Sequence, residues 1–419
     1  MLLWALLACD RIGGEPCEGP TDADGDGWGE VLSECDGDPT QADCDDSDAG
    51  VNPGATEICG NGLDDDCDGR GCSLSEAPVA AAKGEGRFGY SVTVSPHGVA
   101  VGAPDALDFD GQVELFDLGL RPLEVVLTVD EPAAGFGRSL APFGAWIAVS
   151  SFGWDAPYQP VLLFGWDGDL KHTLDSPSQD SDFGATLVGG RIDEDDSPDL
   201  LITDPRGRGA VWLVHGPLTG HTVTSGGRVY GYADEGALGS ALVLGDLDSD
   251  GEPEMAIGSP GDRRIWVHPD IEDGFAASVD VNGELWVGEE AEGFGRLLAT
   301  GDLNGDGRQD LVVGSDQRVW VYVILGSSAS ARIEVAPDAL VTADVDGSGR
   351  ARLLVGSQGE VLLFDQPEGT LEAADMALDG PEDFGRTLAP YDVDEDGADD
   401  LFVAAPRAGV LTLFMGQPY

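Results

Sequence analysis

From residue 88 onward the apolar residues fall in short runs separated by turns rich in Gly, Pro and Asp. Short runs bounded by turn residues predict strands rather than helices. The pattern repeats with a period of about 50 residues, giving seven units. Five units open on Phe-Gly followed by an apolar strand: Phe88-Gly89, Phe136-Gly137, Phe183-Gly184, Phe294-Gly295 and Phe384-Gly385. The fourth opens on Leu238-Gly239, and the sixth, near Ala336, has lost the pair. In units three to seven an Asp-rich turn follows, then a run such as Asp310-Leu-Val-Val-Gly-Ser315. A third strand comes next, as in Val211-Trp-Leu-Val214, Val319-Trp-Val-Tyr322 and Val361-Leu-Leu-Phe364, and then an outer strand such as Glu124-Val-Val-Leu-Thr-Val129. After Val410-Leu-Thr-Leu-Phe414 the last unit lacks that outer strand, whereas Ala77-Pro-Val-Ala-Ala-Ala82 stands in front of the first. That segment is expected to complete the seventh unit and close a ring.

Composition supports an all-β chain with many turns: 62 Gly and 25 Pro in 419 residues, with 42% hydrophobic residues to build a core. The 79 acidic side chains against 21 basic ones leave a formal net charge of −58. Such a surface excludes nucleic acid as an expected partner, because phosphate binding needs clustered cations. No apolar run reaches the ~18 residues that span a bilayer, so any membrane attachment is expected through an anchor.

Cysteine divides the chain. All seven lie within the first 72 residues, at Cys9, Cys17, Cys35, Cys44, Cys59, Cys67 and Cys72. The division predicts three segments: residues 1–9 as a signal, 10–75 as a Cys/Asp-rich module and 76–419 as the repeat domain. The opening Met1-Leu-Leu-Trp-Ala-Leu-Leu-Ala-Cys9 reads as an export signal and resembles a bacterial lipobox at Leu6-Leu7-Ala8-Cys9, which implies lipidation of Cys9. An ordinary signal, with Cys9 a leftover thiol, is the alternative. The other six cysteines suit three disulfides in an oxidising compartment, with 15 possible pairings.

Residues 10–72 carry 19 carboxylates against two arginines, too polar to form a core without disulfides or metals. Within them Asp22, Asp24, Asp26 and Glu30 occupy positions 1, 3, 5 and 9 of a loop, with Gly27 at position 6 and the Trp28 carbonyl at position 7. Hard oxygen ligands at this spacing suit Ca²⁺, although Ser33 stands where an EF-hand has its last Glu. Asp43-Cys44-Asp45-Asp46-Ser-Asp48, Asn52-Pro-Gly-Ala-Thr-Glu57-Ile-Cys59 and Gly62-Leu-Asp64-Asp-Asp66-Cys67-Asp68-Gly69 resemble the metal-binding motif of secreted bacterial proteins, a family linked to copper. Copper prefers imidazole or thioether ligands, and this module has no His and no Met after Met1, so calcium suits it better. A weakly cation-binding acidic spacer is the plain alternative.

The same ligand spacing recurs in the repeat domain. Unit four offers Asp246, Asp248, Asp250, the Glu252 carbonyl and Glu254; unit five Asp302, Asn304, Asp306, the Arg308 carbonyl and Asp310; unit seven Asp392, Asp394, Asp396, the Ala398 carbonyl and Asp400. Like charges ~4 Å apart repel by about 1 kcal/mol in water and about 4 kcal/mol at an effective dielectric of 20. A divalent ion reverses that sign and, at 100 times its dissociation constant, stabilises the fold by about 2.7 kcal/mol per site. Two turns break the pattern. Unit three has Arg191 at position 1, with Asp193, Asp195 and Asp199 in later slots; unit six has Asp344, Asp346 and Ser348 but Arg352 at position 9. Each guanidinium is expected to replace the ion through forked hydrogen bonds to the carboxylates.

Phe-Gly followed by Gly102-Ala103-Pro104 is the signature of the FG-GAP repeat, and residues 76–419 resemble the integrin α-chain propeller. The resemblance implies an all-β, seven-bladed β-propeller with calcium turns on one face and the loops between second and third strands on the other. Arg206, Arg208, Arg263 and Arg264 fall in those loops, with Trp154 and Tyr158 in the loop of blade two, and these are the candidate ligand-face residues. The alternative is that arginines there neutralise neighbouring acids. Motifs for Ser-hydrolase, zinc-protease and P-loop chemistry are absent, and the five histidines are scattered. The expectation is an exported calcium-binding surface protein for a protein or glycan ligand. A purely structural surface protein, and a hydrolase or lyase on polysaccharide or phosphodiester, are the other readings.

Overall fold

The computed structural model describes residues 74–419 except 76, 130–134, 152–159, 177–180, 193–196, 219–227, 231–235, 269–283, 288–290, 323–330, 366, 368, 372–373 and 419. It also describes residues 23–25, 27–28, 43–45, 47–53, 55 and 67 of the N-terminal module.

The described strands form seven sheets, each built on an antiparallel four-strand meander, and the sheets follow one another round a β-propeller. Blades one to three run from Ser91–Ser95 to Pro122–Leu127, from Leu140–Phe143 to Leu170–Leu174 and from Leu187–Gly190 to Arg228–Tyr230. Blade four comprises Ala241–Gly245, Glu254–Ser259, Arg264–His268 and Glu284–Val287; blade five comprises Leu297–Gly301, Asp310–Gly314, Val319–Tyr322 and Ala331–Ile333. Blade six comprises Ala339–Ala343, Arg352–Ser357, Glu360–Phe364 and Met376–Asp379. Blade seven contributes only Thr387–Tyr391, Asp400–Ala405 and Val410–Phe414 from the C-terminal end. Its fourth strand is Ala80–Lys83, paired antiparallel with Val410–Phe414 in the register Ala80↔Leu413 to Lys83↔Val410. The ring closes as expected, joining the two ends of the repeat domain.

The second strand of each blade is buried on both faces, which is why these segments read as continuous apolar runs rather than alternating ones. Gly98–Ala103, Glu254–Ser259, Arg352–Ser357 and Asp400–Ala405 are buried at every position. The buried side chains divide into seven clusters, one at each interface between neighbouring blades. The core therefore lies between blades.

The Phe-Gly pair builds that interface. Each Phe meets an aromatic residue of its own blade's third strand edge to face: Phe88 with Phe116, Phe136 with Phe164, Phe183 with Trp212, Phe294 with Trp320 and Phe384 with Phe414. The glycine that follows has a positive φ, as at Gly137 (+85°) and Gly295 (+85°), and lies against the preceding blade's second strand. A Cβ added to Gly102 would come within 2.0 Å of the Gly137 carbonyl oxygen, and one on Gly258 within 1.8 Å of that of Gly295. Both partners must be small for the blades to touch.

Blade six lacks the pair and uses charge instead. Asp338 donates its N–H to the Gly356 carbonyl at 2.6 Å, as the glycine does in other blades. Its carboxylate accepts from Arg386 Nη1 of blade seven at 2.6 Å. Arg296 of blade five reaches the Pro337 carbonyl from the other side. Blade five carries a further difference: Gly369–Leu371, on the way to the outer strand of blade six, pairs parallel with Ala331–Ile333. This fifth strand covers an edge only three residues long.

Deleting residues 76–83 removes the closing strand and exposes the edge of Val410–Phe414, so the melting temperature should fall by at least about 5 °C. An unchanged thermal transition would show that the ring does not depend on this pairing.

Candidate metal centres

The Asp-rich turns are positioned by the sheet register. Position 9 is the first residue of the second strand and pairs with the last residue of the first: Gly245↔Glu254, Gly301↔Asp310, Tyr391↔Asp400. The ladder therefore pulls an acid into the core, and Glu254, Asp310 and Asp400 are 1%, 0% and 0% exposed. Each carboxylate turns back to accept the N–H at position 2: Leu247 to Glu254 Oε2 at 2.6 Å, Leu303 to Asp310 Oδ2 at 2.9 Å and Val393 to Asp400 Oδ2 at 2.7 Å. Position 1 accepts the N–H of the glycine at position 6: Gly251 to Asp246 at 3.2 Å, Gly307 to Asp302 at 2.8 Å and Gly397 to Asp392 at 3.1 Å. Those glycines have φ of +97°, +85° and +96°, which makes the sharp turn.

Oxygens converge within these turns. Ligand atoms of Asp246, Asp248 and Asp250 all lie within 4.8 Å of one another, as do those of Asp392, Asp394 and Asp400. In blade five the side chains are turned onto the loop itself: Asn304 Nδ2 donates to Asp306 Oδ2 at 3.1 Å, and Asp302 Oδ1 accepts from Gly305 at 2.7 Å. Glu252, Arg308 and Ala398 occupy position 7, which supplies a carbonyl in a loop of this kind. The donor sets suit a hard divalent cation. A buried orphan atom supports that fit: Glu254 Oε1 and Asp310 Oδ1 have no hydrogen-bond partner. In blade seven the equivalent Asp400 Oδ1 accepts the Gly416 N–H at 2.8 Å.

Without an ion these carboxyls bind protons more tightly than ordinary carboxylates. Burial first, then the charges of Asp248 and Asp250, push Glu254 up to about 7. Burial, then Asp306 and Asp302, push Asp310 up to about 6. Asp400 is likewise pushed up to about 6 by burial, with Asp394 and Asp396 adding to it.

Blade six departs as the sequence suggests. Arg352, 2% exposed, enters its own turn. Its guanidinium pairs with both oxygens of Asp346, Nη1 lying 2.5 Å from Oδ1, and reaches Ser348 Oγ and the Arg350 carbonyl at 3.5 Å each. Those partners occupy positions 3, 5 and 7 of the loop, so the guanidinium takes the place of an ion. Burial pushes Asp346 up, yet hydrogen bonds from Ser348 and Asp344 and the Arg352 charge keep it below the usual carboxylate range. In blade three Arg191 is exposed, and Asp193 and Asp195 lie outside the described residues, so its expected pairing with them does too. Asp199 there is fully buried and accepts N–H groups from Ile192 at 2.9 Å and Gly216 at 3.1 Å. Blades one and two replace the long turn with tight ones between Ser91–Ser95 and Gly98–Ala103 and between Leu140–Phe143 and Trp146–Ser150.

In the N-terminal module Cys44 is joined to Cys67, with Cα atoms 5.5 Å apart. Spacing alone left that pairing open among many. Asp43 and Asn52 are buried beside Val51, and Asp43 Oδ1 accepts the Asp45 N–H at 2.9 Å. Of the loop at residues 22–30, Asp24 and Trp28 are described, with Gly25 and Gly27 at φ +86° and +100°. Asp22, Asp26 and Glu30, together with Cys9, Cys17, Cys35, Cys59 and Cys72, lie outside the described residues.

On the opposite face Arg206, Arg208 and Arg263 are exposed. Arg264 is a correction to the loop assignment, because it begins the third strand of blade four and is half-buried. Several arginines flanking the Phe-Gly pairs or in the same loops meet acids: Arg87 with Asp105 at 3.6 Å, Arg296 with Asp316 at 3.1 Å, Arg318 with Glu334 at 2.6 Å and Arg407 with Glu382 at 3.5 Å. Local neutralisation accounts for these four. Trp154 and Tyr158 lie outside the described residues. Two histidines are packing residues: the His97 ring lies 6.2 Å from that of Trp166, and His172 lies 5.0 Å from Trp146.

Comparison with known proteins agrees with this geometry. The FG-GAP repeat family matches residues 294–322 and 384–417, and the family described as "Putative metal-binding motif" matches residues 43–71. Integrin alpha-X of Mus musculus is 27% identical over 260 residues, covering 55% of this chain and 22% of that protein. Integrin alpha-IIb of Homo sapiens is 29% identical over 196 residues, covering 44% and 16%. Phosphatidylinositol-glycan-specific phospholipase D of Mus musculus is 30% identical over 152 residues, covering 32% and 18%. The chain thus spans less than a quarter of the length of these relatives. Among solved structures, BBS1N in complex with ARL6DN, soaked with mercury, superposes with a TM-score of 0.54 at 14% identity, covering 81% of this chain and 96% of that one. That likeness concerns the fold alone. The chain is an integrin-α-like FG-GAP β-propeller with a metal-binding motif in front of it.

The raised carboxyl values set the pH dependence. In the metal-free protein Glu254, Asp310 and Asp400 bind protons more tightly folded than unfolded. Their contribution is present below the ordinary carboxylate range and is lost as pH rises through about 6 to 7. An ion needs the deprotonated groups, so its stabilisation grows over the same window. Melting temperatures with excess chelator and with excess calcium should diverge between pH 5 and pH 8; a constant gap would contradict this arrangement.

Proposed function

We propose that this is an exported, calcium-binding surface protein whose propeller presents a rigid face for a protein or glycan ligand, in adhesion or envelope interaction. The observation that carries the reading is the division of chemistry between the two faces. Among the described residues, the clusters of carboxylates that could hold an ion, at Asp246, Asp248 and Asp250 and at Asp392, Asp394 and Asp400, sit in turns between first and second strands, while the exposed arginines of blades three and four follow the far ends of second strands. Calcium fits better than copper because the ligands are carboxylate, amide and carbonyl oxygens without imidazole or thioether. Positions at Asp246, Asp248, Asp250, Glu252 and Glu254, and their counterparts in blades five and seven, would hold it.

Export is supported by the lipobox-like start, by the disulfide between Cys44 and Cys67, and by the likeness to integrin α chains. No helix among the described residues is long and apolar enough to cross a membrane, and attachment through a lipid on Cys9 is the route the sequence offers. The ligand-facing surface is assigned to the exposed Arg206, Arg208 and Arg263, with the half-buried Arg264 at its edge; the sequence candidates Trp154 and Tyr158 lie outside the described residues. Phospholipase activity belongs to the relative that bears the name, and the shared part is 18% of it. A binding role without catalysis is the better reading here, since the carboxylate turns are built to hold cations at the end of a ladder.

The test is binding of the full chain, in calcium, to a glycan array and to purified envelope proteins. The variant Arg206→Glu/Arg208→Glu/Arg263→Glu should lose at least about tenfold in affinity with its melting temperature unchanged. Undiminished binding would place the ligand elsewhere, and tight cell-wall association without any ligand would favour a structural role.

A further inference from the structure

We propose that the arginine-filled turn of blade six is a metal-independent clasp, with Arg352 as its positioning residue, that holds the ion-binding turns of blades five and seven in register. The inference rests on the calcium reading of those two turns.

The clasp is visible as backbone bonds running from turn to turn. On one side Ala351 donates its N–H to the carbonyl of Asp302, the first ligand position of blade five, at 2.8 Å. On the other side Asp399, the neighbour of Asp400 in blade seven, donates to the Asp344 carbonyl at 2.7 Å. The Asp344 N–H returns to Asp399 Oδ2 at 2.9 Å. The ends of the blade six turn are thus tied to a ligand residue on one side and to a ligand's neighbour on the other.

What keeps that turn in shape is a fixed cation. Asp344 and Asp346 occupy ligand positions, and two like charges in one turn would drive it open. Arg352 answers them from within the same chain, buried and pairing with both oxygens of Asp346. A guanidinium is always charged and, unlike a bound ion, cannot leave. Arg350 extends the link: its Nη1 approaches the Leu303 carbonyl of blade five at 3.4 Å, and its Nη2 meets Asp365 Oδ1 at 2.5 Å. Asp365 also lies 3.7 Å from Arg352 Nε, so the two arginines share an acid at the base of the turn. Calcium can then exchange at blades five and seven while the piece between them stays ordered. The neighbouring sites keep their geometry because their scaffold does not depend on the ion they bind.

Hydrogen exchange on the full-length wild-type protein, with calcium and with excess chelator, tests this directly. Chelation should speed exchange at the loop-tip amides of residues 304–308 and 394–397 by at least about tenfold and leave residues 346–352 and the clasp amide of Asp399 within about twofold. Loss of protection at residues 346–352 in step with the other turns would overturn the clasp, because that turn would then hold an ion. If no turn responded, the calcium reading would fall, and the clasp with it. Arg352→Asp supplies a second readout by restoring a carboxylate at position 9. By native mass spectrometry it should bind one calcium more than wild type, and its melting temperature should become more sensitive to chelator. Unchanged stoichiometry in the folded variant would also count against the assignment.

Discussion

The strand register forces a charge into the core. Whatever residue stands at position 9 of the long turns becomes the first residue of a second strand that is buried on both faces, and in blades three, four, five and seven that residue is an acid. A buried carboxylate is costly unless it is hydrogen-bonded and neutralised. Local backbone N–H groups satisfy part of it, as Leu247 and Leu303 do, but leave Glu254 Oε1 and Asp310 Oδ1 without partners. A cation would complete the shell in blades four and five, the Gly416 N–H replaces part of the need in blade seven, and Arg352 supplies the charge in blade six. The same constraint thus has several solutions in one molecule.

That local chemistry matters because the turns sit where blades meet. Gln309 of blade five donates to the Asp246 carbonyl of blade four at 3.2 Å, as Ala351 does to Asp302 and Asp399 to Asp344. Four consecutive turns are linked in a chain on one face. On the other face the blades are held by Phe-Gly contacts in which glycine and small second-strand residues exclude any larger side chain. Electrostatics thus organises one face and steric fit most of the other, where blade six substitutes the Asp338–Arg386 ion pair, with the seven apolar clusters between them. A propeller built this way can vary its exposed loops without disturbing either.

Much of this was legible in the residues. Phe-Gly spacing located the blades, the apolar runs located the buried second strands, and the orphan segment before Phe88 announced ring closure at Ala80–Lys83. These features are periodic, so they survive as pattern. The ligand positions were legible for the same reason, since an Asp at every second residue before a glycine has few other uses. What spacing could not supply were contacts between residues distant in sequence. Spacing left 15 connectivities open for six cysteines, about three of which contain the Cys44–Cys67 pair. The strand Gly369–Leu371 crosses to the neighbouring blade, which no local periodicity reports. Arg296 and Arg386 each follow a Phe-Gly pair in sequence, yet they hold Pro337 and Asp338 where blade six has lost its own pair. The missing motif was the available signal: a blade without Phe-Gly needs another contact, and an Asp stands in its place.

The central claim is that a divalent ion occupies the turns of blades four, five and seven and that a guanidinium occupies that of blade six. Anomalous diffraction from crystals grown in calcium tests it most directly. Peaks are expected beside Asp246, Asp302 and Asp392 and none beside Asp344. A calcium peak in the blade six turn, or empty turns in the other three at saturating calcium, would contradict it.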